Sequence, residues 1–270
     1  MANSIHSTAI IATSVKLGDN ITVGPYAVVE GEVSLGDNVE VGAHAVVAGW
    51  TAVGRDNRIF PHAAIGFDPQ DKKYKRGDKT FLEIGDGNVF REFCTIHRGT
   101  VEGGGVTRIG SGNLFMAYSH VAHDDVIGDG CVMANCATLA GHVEVGDFAI
   151  VGGLAAVHQF CRIGKNVMIG GCSRITQDVP PFALCNGSPG LIYGLNAVGL
   201  KRAGLTSASL KTLKEAFRIM FSEGLAKSTA IERVEKEIGQ TAEVRHLLDF
   251  VKASERGLCA FVKNGTEPTE

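Results

Sequence analysis

The chain has 270 residues, 44% of them hydrophobic, so it can bury a core without disulfides or a structural metal. A formal net charge of −3 argues against a nucleic acid partner. The sequence has no signal peptide pattern and no long apolar run, which predicts a protein without a transmembrane segment. Its cysteines are odd in number and form no C-x-x-C pair, which predicts a cytoplasmic protein.

An apolar residue returns at every sixth position along most of the chain. The first series is Ile5, Ile11, Leu17, Val23, Val29, Leu35, Val41, Val47, Val53, Ile59 and Ile65. The second is Ile84, Phe90 and Ile96, and the third is Ile109, Phe115, Val121, Ile127, Met133, Leu139, Val145, Val151, Val157, Ile163, Ile169 and Ile175.

A period of six fits neither an α-helix nor an uninterrupted alternating strand, and it is typical of short strands joined by sharp turns. Three repeats would make one triangular coil of about 18 residues, with stacked coils paired as parallel strands. Small residues four positions after the inward ones should fill the corners: Ala27, Ala45, Ala63, Ser119, Ala137, Ala149 and Ala155.

The period breaks twice, where continuing it would bury Asp71, Gly77 or Glu102. These breaks predict two loop excursions near residues 67–82 and 97–107. Loops that project from a rigid scaffold are favoured places for binding residues.

The repeat ends at the sequence QDVPPF, because two prolines cannot donate to another ladder rung. We therefore predict a β-helix over 1–188 and a helical C-terminal domain over 189–270, with a disordered tail KNGTEPTE. Thr206 should cap a helix that ends near Gly224, and shorter helices should lie around 231–238 and 244–251.

Five of the nine histidines lie between residues 97 and 158, and none occupies an inward position. With about 18 residues per coil, the spacing brings five residues together on one wall: His123, Asp124, Gly141, His142 and Gln159. A histidine beside a carboxylate is the arrangement that a general base needs. A single outward histidine is more often an ordinary surface residue, but the convergence of several favours a site.

Several stretches, in order and spacing, resemble the UDP-N-acetylglucosamine O-acyltransferases of lipid A biosynthesis. They are QDKKY, TIHRGT, GGG, SHVAHDD, NCATLAGHVEVGDFAIVGG, AVHQFCRIG, GGCS, QDVPP and GLKR. The resemblance implies a left-handed parallel β-helix and a homotrimer with its sites in clefts between subunits. It also implies transfer of a 3-hydroxyacyl chain from the phosphopantetheine of acyl carrier protein to the 3-position of UDP-N-acetylglucosamine, the first step of lipid A synthesis. Neither a metal nor any other cofactor is expected.

The resemblance also implies residue roles. His123 would be the general base, Asp124 would hold its tautomer, and the backbone N–H of Gly141 would face the oxyanion. Substrate contacts would come from Asp71, Lys73, His97, His120, His142, Gln159, Asn196 and Arg202, and Gly171 would limit the acyl length. The chain departs from the family pattern at Pro189, Val198 and Ala203, where a histidine, an acid and an arginine are common, so the nucleotide contacts are not all matched.

Each of these residues also has an ordinary structural interpretation. The charges of Asp71 and Lys73 could simply be solvated, Arg202 could be a helix-end charge, and Gly171 could serve a tight corner. A local basic patch for the acidic carrier protein is expected among Arg162, Lys165, Arg174, Lys201 and Arg202.

Three other kinds of protein share some of these features. A zinc enzyme of the gamma carbonic anhydrase type would need three histidine ligands around one metal. A non-catalytic β-solenoid would have flat repetitive faces, without clustered histidines or phase-breaking loops. The N-acyltransferase of the same pathway has an extra N-terminal domain, for which hexads that begin at Ile5 leave no room.

Overall fold

The computed structural model describes residues 2–262, and most of them form short strands. Before the first loop these are Ser4–Ile5 (β1), Ile10–Ile11 (β2), Lys16–Leu17 (β3), Thr22–Val23 (β4), Val28–Val29 (β5), Glu32–Leu35 (β6), Glu40–Val41 (β7), Val46–Val47 (β8), Trp50–Val53 (β9), Arg58–Ile59 (β10) and Ala64–Phe67 (β11). Between the loops lie Phe81–Ile84 (β12), Val89–Phe90 (β13) and Thr95–His97 (β14).

The strands after the second loop continue the same pattern. They are Val106–Ile109 (β15), Leu114–Phe115 (β16), His120–Val121 (β17), Val126–Ile127 (β18), Val132–Met133 (β19), Thr138–Leu139 (β20), Glu144–Val145 (β21), Ile150–Val151 (β22), Ala156–Val157 (β23), Arg162–Ile163 (β24), Met168–Ile169 (β25), Arg174–Ile175 (β26), Ala183–Asn186 (β27) and Leu191–Leu195 (β28).

Every third strand pairs in register, which builds three flat sheets around one axis. The first sheet has 11 strands, from β1 to β28, the second has nine, from β2 to β26, and the third has eight, from β3 to β24. All pairs are parallel except β27 with β28. Hydrogen-bonded partners in adjacent coils lie 18 residues apart, as in Val143 and Asp125, and 31 or 25 residues apart where a loop intervenes. The predicted coil length is confirmed.

The inward residues of the repeat form the core of the prism. From Val23 to Ile175 every one of them is buried, and Phe90 stacks on Phe115 with ring centroids 4.8 Å apart. The predicted small corner residues are buried too, with Ala27, Ala45 and Ser119 fully so. Ile5, the first inward residue of the series, is 44% exposed.

The chain turns at three corners, and at most turns the third residue after the inward one has a left-handed backbone conformation. Corner 1 follows the first sheet, and Tyr26, His44, His62, Phe93 and Tyr118 stack there with centroids about 5 Å apart. Corner 2 follows the second sheet and carries Asp124, His142 and Phe160, with φ of 61°, 62° and 65°. Corner 3 follows the third sheet.

Both loop excursions leave the prism at corner 2. The first spans residues 68–80, between β11 and β12, and the second spans residues 98–105, between β14 and β15. Each is shorter than expected, because Phe67, Phe81, His97 and Thr107 still pair with neighbouring strands. The two loops therefore emerge from the same corner that carries Asp124 and His142.

The expectation that the ladder ends at QDVPPF is wrong. Val179 bridges Ile163 in parallel, and β27 pairs with β25 to extend the first sheet. The prolines are tolerated because residues beside them make the bonds: Val179 donates to Arg162 O and accepts from Gly164 N. The boundary predicted at residue 188 stays a prediction.

Within residues 2–262, four α-helices follow: Ala197–Arg202 (α1), Ser207–Phe217 (α2), Lys227–Glu237 (α3) and Ala242–Ala253 (α4). Thr206 caps α2 as predicted, accepting from Ser209 N at 3.1 Å, and a π-helical turn over Arg218–Ser222 continues it towards Gly224. Helix α3 begins four residues before the predicted start and ends one residue before the predicted end, and α4 is two residues longer at each end. Helix α1 and strands β27 and β28 were not predicted. The tail KNGTEPTE lies outside the described residues.

Candidate active site

His123 and Asp124 form a hydrogen-bonded pair at corner 2. His123 Nδ1 lies 2.8 Å from Asp124 Oδ2, and both side chains are largely buried, with 10% and 1% exposed. An ionised Asp124 can only accept, so His123 Nδ1 carries a proton, and in the neutral imidazole Nε2 has a free lone pair. This is the tautomer in which the imidazole can accept a proton from a substrate.

Asp124 is held from three sides by the second loop and the strand that follows it. Its carboxylate accepts from Thr100 N at 2.9 Å and from Thr100 Oγ1 at 2.6 Å, and its own backbone N–H donates to Thr107 Oγ1 at 2.8 Å. Burial pushes the pKa of Asp124 up, but the hydrogen bonds from His123 and Thr100 outweigh it and lower the pKa overall. Asp124 therefore stays ionised beside His123.

Gly141 lies directly beside the His123 ring. A Cβ at residue 141 would lie 2.6 Å from His123 Nε2, so only glycine leaves room for the imidazole in this position. Gly141 is buried, and its N–H has no hydrogen-bond partner among the described residues. One coil later, Phe160 N donates to Gly141 O, as the predicted stacking of residues 123, 141 and 159 requires.

Three more histidines surround this pair. His142 stacks on Phe160 at 4.7 Å, with its Nε2 3.7 Å from Asp124 Oδ2, and His97 meets His120 edge to face at 5.0 Å. Burial, reinforced by neighbouring histidines, lowers the pKa of His97 to about 4 and also lowers the pKa of His120 and of His142. The cluster is thus favoured in its neutral state, which can donate and accept hydrogen bonds.

The first loop brings Asp71 towards the cluster. Asp71 is half-buried and its charge acts on His142, raising the pKa that burial lowers. Lys73 is exposed, and its N–H donates to Asp71 Oδ1 at 2.9 Å in a tight turn. Gln159 is half-buried at corner 2, one coil beyond Gly141. These predicted residues share one side of the prism with His123.

Other predicted residues lie elsewhere in the molecule. Asn196 caps α1 and donates to Asn166 O at 3.0 Å, at corner 3. Arg202 is exposed at the end of α1. Gly171 is exposed at corner 1, where a Cβ would meet Gly153 O at 3.2 Å. The single chain therefore does not bring these three residues beside His123.

Two of the five basic residues expected to form a patch are neutralised by acids. Arg162 pairs with Glu144 at 2.9 Å, and Lys165 lies 3.5 Å from Asp147. The other three, Arg174, Lys201 and Arg202, are exposed without an ion pair within residues 2–262. They are the remaining candidates for an acidic partner.

The zinc-enzyme alternative fits the geometry poorly. One donor atom each from His123, Asp124 and His142 lies within 4.8 Å of the others. However, Asp124 Oδ2 already accepts from Thr100 Oγ1 and from His123 Nδ1. A site of this type would also need three histidines, and this group has two. The group is better suited to orienting an imidazole.

Sequence reasoning missed Thr100, Thr107 and Arg98. All three are buried around the bases of the two loops, and each holds a residue of the site or of a loop. The signal available in the sequence was the pair Gly99 and Gly103, since a Cβ at either position would collide with the Asp124 carboxylate.

Comparison with known proteins identifies the family. A curated acyl-[acyl-carrier-protein]–UDP-N-acetylglucosamine O-acyltransferase of Thiobacillus denitrificans is 53% identical over 255 residues, which cover 94% of this chain and 98% of that protein. One of the same name from Alkalilimnicola ehrlichii is 53% identical over 254 residues, with 94% and 98% coverage. The chain belongs to this O-acyltransferase family. Family models agree: "Udp N-acetylglucosamine O-acyltransferase; Domain 2" matches residues 178–259, and the bacterial transferase hexapeptide matches residues 14–49.

Solved structures of the family share the fold. LpxA from Acinetobacter baumannii has a TM-score of 0.92 and 42% identity, covering 94% of this chain and 99% of that one. The Campylobacter jejuni UDP-N-acetylglucosamine acyltransferase has a TM-score of 0.91 and 36% identity, with 96% and 100% coverage. The predicted fold class, a left-handed parallel β-helix of hexapeptide repeats with C-terminal helices, is confirmed. No helix within residues 2–262 is long and apolar enough to cross a membrane.

Proposed function

We propose that the chain transfers a 3-hydroxyacyl group from acyl carrier protein to the 3-hydroxyl of UDP-N-acetylglucosamine, the first step of lipid A synthesis. The observation that carries the proposal is the 2.8 Å hydrogen bond between His123 Nδ1 and Asp124, which leaves Nε2 free beside Gly141. The names of the family members support the same substrates. We propose the cytoplasm as the compartment, as the cysteine pattern predicts.

The proposed reaction is a direct transfer without a covalent enzyme intermediate. His123 Nε2 takes the proton of the sugar 3-hydroxyl as its oxygen attacks the thioester carbonyl carbon. The N–H of Gly141 donates to the carbonyl oxygen as it gains charge. The C–S bond then breaks, and the imidazolium returns its proton to the departing thiolate. Asp124 stays ionised throughout and stabilises the imidazolium.

The neutral histidines and the first loop supply the proposed sugar site. His97, His120 and His142 can hydrogen-bond hydroxyl or phosphate oxygens without adding charge to the pocket. Asp71, Lys73 and Gln159 lie on the same side and complete the proposed substrate contacts. No metal or other cofactor is needed for this chemistry, since the donor is the phosphopantetheine thioester of the carrier protein.

A homotrimer would bring the remaining residues to the site. Asn196 lies at corner 3, Gly171 at corner 1 and Arg202 at the end of α1, so we propose that a neighbouring subunit presents them to the cleft. The exposed column of stacked rings at corner 1, from Tyr26 to Tyr118, supports assembly because a subunit contact would cover it. Arg174, Lys201 and Arg202 are the proposed contacts for the acidic carrier protein.

The direct test is a transfer assay with purified protein, a series of 3-hydroxyacyl carrier proteins of different chain length, and two acceptors. The acceptors are UDP-N-acetylglucosamine and its 3-amino analogue, and mass spectrometry of the product distinguishes an ester from an amide. Ester formation on the first acceptor is expected. Absence of transfer to either acceptor with every chain length would refute the proposed function, and light scattering that shows only monomer would refute the trimer.

A further inference from the structure

Residues 98–100 link the two loops at corner 2, and we call them the brace. The brace begins directly after β14 and opens the second loop. Arg98 contacts the first loop, whereas Thr100 contacts Asp124. Arg98 and Thr100, which are separated by one residue, thus hold the first loop and Asp124 respectively.

Arg98 is a buried arginine that faces the base of the first loop. Only 4% of its side chain is exposed, and its guanidinium donates to Gly66 O, to Asp68 Oδ1 and, at 3.1 Å, to Tyr74 Oη. It also lies 5.5 Å from the centre of the Trp50 ring. A Cβ at Gly49 would overlap the guanidinium, so the wall of the prism is shaped to admit it. A buried charge of this kind is costly unless its hydrogen bonds are made.

The contacts of Arg98 fix the loop that carries Asp71. Tyr74 Oη, which accepts from Arg98, also donates to Asp68 Oδ1 at 3.1 Å and lies 3.3 Å from Asp78 O. Asp71 and Lys73 lie between these anchors, and within residues 2–262 they make no hydrogen bond outside their own turn. The position of Asp71 relative to His142 therefore depends on Arg98.

Thr100 gives Asp124 two of its hydrogen bonds, one from the backbone and one from the hydroxyl. The flanking Gly99 and Gly103 pack against the same carboxylate, where any side chain would collide with it. The Asp124 carboxylate therefore cannot rotate away from His123 without breaking the Thr100 contacts. The tautomer and the orientation of His123 depend on this arrangement.

We propose that Arg98 and Thr100 are positioning residues with separable tasks: Arg98 sets the sugar-binding loop, and Thr100 sets the orientation of the base. The proposal rests on the proposed function for its kinetic consequences but not for its structural ones. Neither residue needs to touch substrate. Each acts through a neighbour, Arg98 through residues 68–80 and Thr100 through Asp124.

The two tasks predict opposite kinetic effects. Arg98→Met should raise KM for the UDP-sugar by about 10-fold or more with kcat nearly kept, because a misplaced binding loop loses ground-state contacts. Thr100→Val should lower kcat by about 10-fold with KM nearly kept, because the base is no longer held. The acid limb of its pH–rate profile should move to higher pH, since a carboxylate with fewer donors is more basic. Thr100→Ser should have the wild-type kcat and the wild-type pH–rate profile.

Two further readouts need no activity, so they separate failure of this proposal from failure of the proposed function. Trypsin should cut the first loop, at Lys72, Lys73, Lys75, Arg76 or Lys79, at least several-fold faster in Arg98→Met. The far-downfield proton resonance of the His123–Asp124 hydrogen bond should move in Thr100→Val and stay in Arg98→Met. Arg108→Met, which breaks an exposed pair with Glu83, is the matched control and should change neither.

If Arg98→Met does not fold, Asp68→Ala and Tyr74→Phe replace it, because each removes one Arg98 contact at a more exposed position and should accelerate cleavage in the same way. The proposal is overturned if loop cleavage and KM in these variants equal those of the wild type. It is equally overturned if Thr100→Val keeps the wild-type kcat and the wild-type proton resonance.

Discussion

The imidazole of His123 lies so close to the backbone of Gly141 that a Cβ on residue 141 would come within 2.6 Å of Nε2. Gly141 has an ordinary negative φ, so the glycine is needed for space and not for backbone conformation. The proposed base and the proposed oxyanion donor are thus adjacent because one residue lacks a side chain.

Gly141→Ala should therefore displace the His123 ring and reduce kcat by about 10²-fold, since small displacements of a catalytic group have effects of this size. The melting temperature should change little, because the left-handed region is not involved. Gly239→Ala is the control: Gly239 also lies outside the left-handed region, but a Cβ there meets nothing within 4 Å, so activity should persist. An unchanged kcat in Gly141→Ala would show that the His123 ring tolerates a methyl group on residue 141.

Asp124→Asn keeps the shape of the side chain and tolerates the φ of 61°, but it removes the negative charge beside His123. We expect kcat to fall by about 10²- to 10⁴-fold, because the wrong tautomer is favoured. The lowered pKa of Asp124 also stabilises the fold above the unfolded-state pKa of about 3.9, and this contribution is lost as the pH falls through the folded-state pKa.

The stability difference between wild type and Asp124→Asn should consequently be full at neutral pH and shrink below about pH 4, as far as the fold survives. Urea unfolding at a fixed protein concentration measures it, since an oligomer's stability depends on concentration. A stability difference that stays constant down to low pH would mean that these hydrogen bonds do not keep Asp124 ionised.

The protonation of His97 should make the free energy of unfolding depend on pH in a higher range than that of Asp124. Its pKa of about 4 lies below the unfolded value of about 6.5, so between these values the unfolded chain binds a proton that the folded chain does not. The free energy of unfolding should fall by up to about 3 kcal/mol as the pH drops from 6.5 to 4. In His97→Gln this part of the slope should disappear, whereas the exposed His6→Gln should retain it.

Gly171→Met tests the proposed length limit of the acyl groove. The new side chain would project from corner 1, next to Gly153, without an inward clash. Preference should shift to shorter acyl chains by about 10- to 100-fold in the ratio of kcat/KM values, as a filled hydrophobic pocket discriminates chain length. An unchanged ratio across the acyl series would place the end of the groove elsewhere.

The repeat made most of the fold predictable, because each inward residue from Val23 to Ile175 obeys one rule of burial. The stacking of His123, Gly141 and Gln159 followed from the same spacing. The roles of Asp71 and Gly171 came from resemblance alone, since their positions depend on a loop conformation and on neighbouring subunits. The continuation of the ladder past Pro180 was missed because the coil containing it is shorter than 18 residues, as the 16-residue spacing of Arg162 and Asp178 shows.

The contacts of Thr100 and Arg98 could not be predicted for a different reason. Both lie in a segment without periodicity, and a threonine or arginine in a loop is usually solvated. Only the three-dimensional path of the second loop turns Thr100 back onto Asp124 and Arg98 under the first loop.

The most direct test of the account is the single-turnover rate of acyl transfer by His123→Ala at saturating acyl carrier protein and UDP-sugar. We predict a fall of about 10²- to 10⁴-fold, with the oligomeric state and melting temperature unchanged. His158 is an exposed histidine bonded to Arg256 and lies about two coils beyond His123. His158→Ala should therefore react at the wild-type rate. A His123→Ala protein that reacts as fast as the wild type would contradict the assignment of the general base.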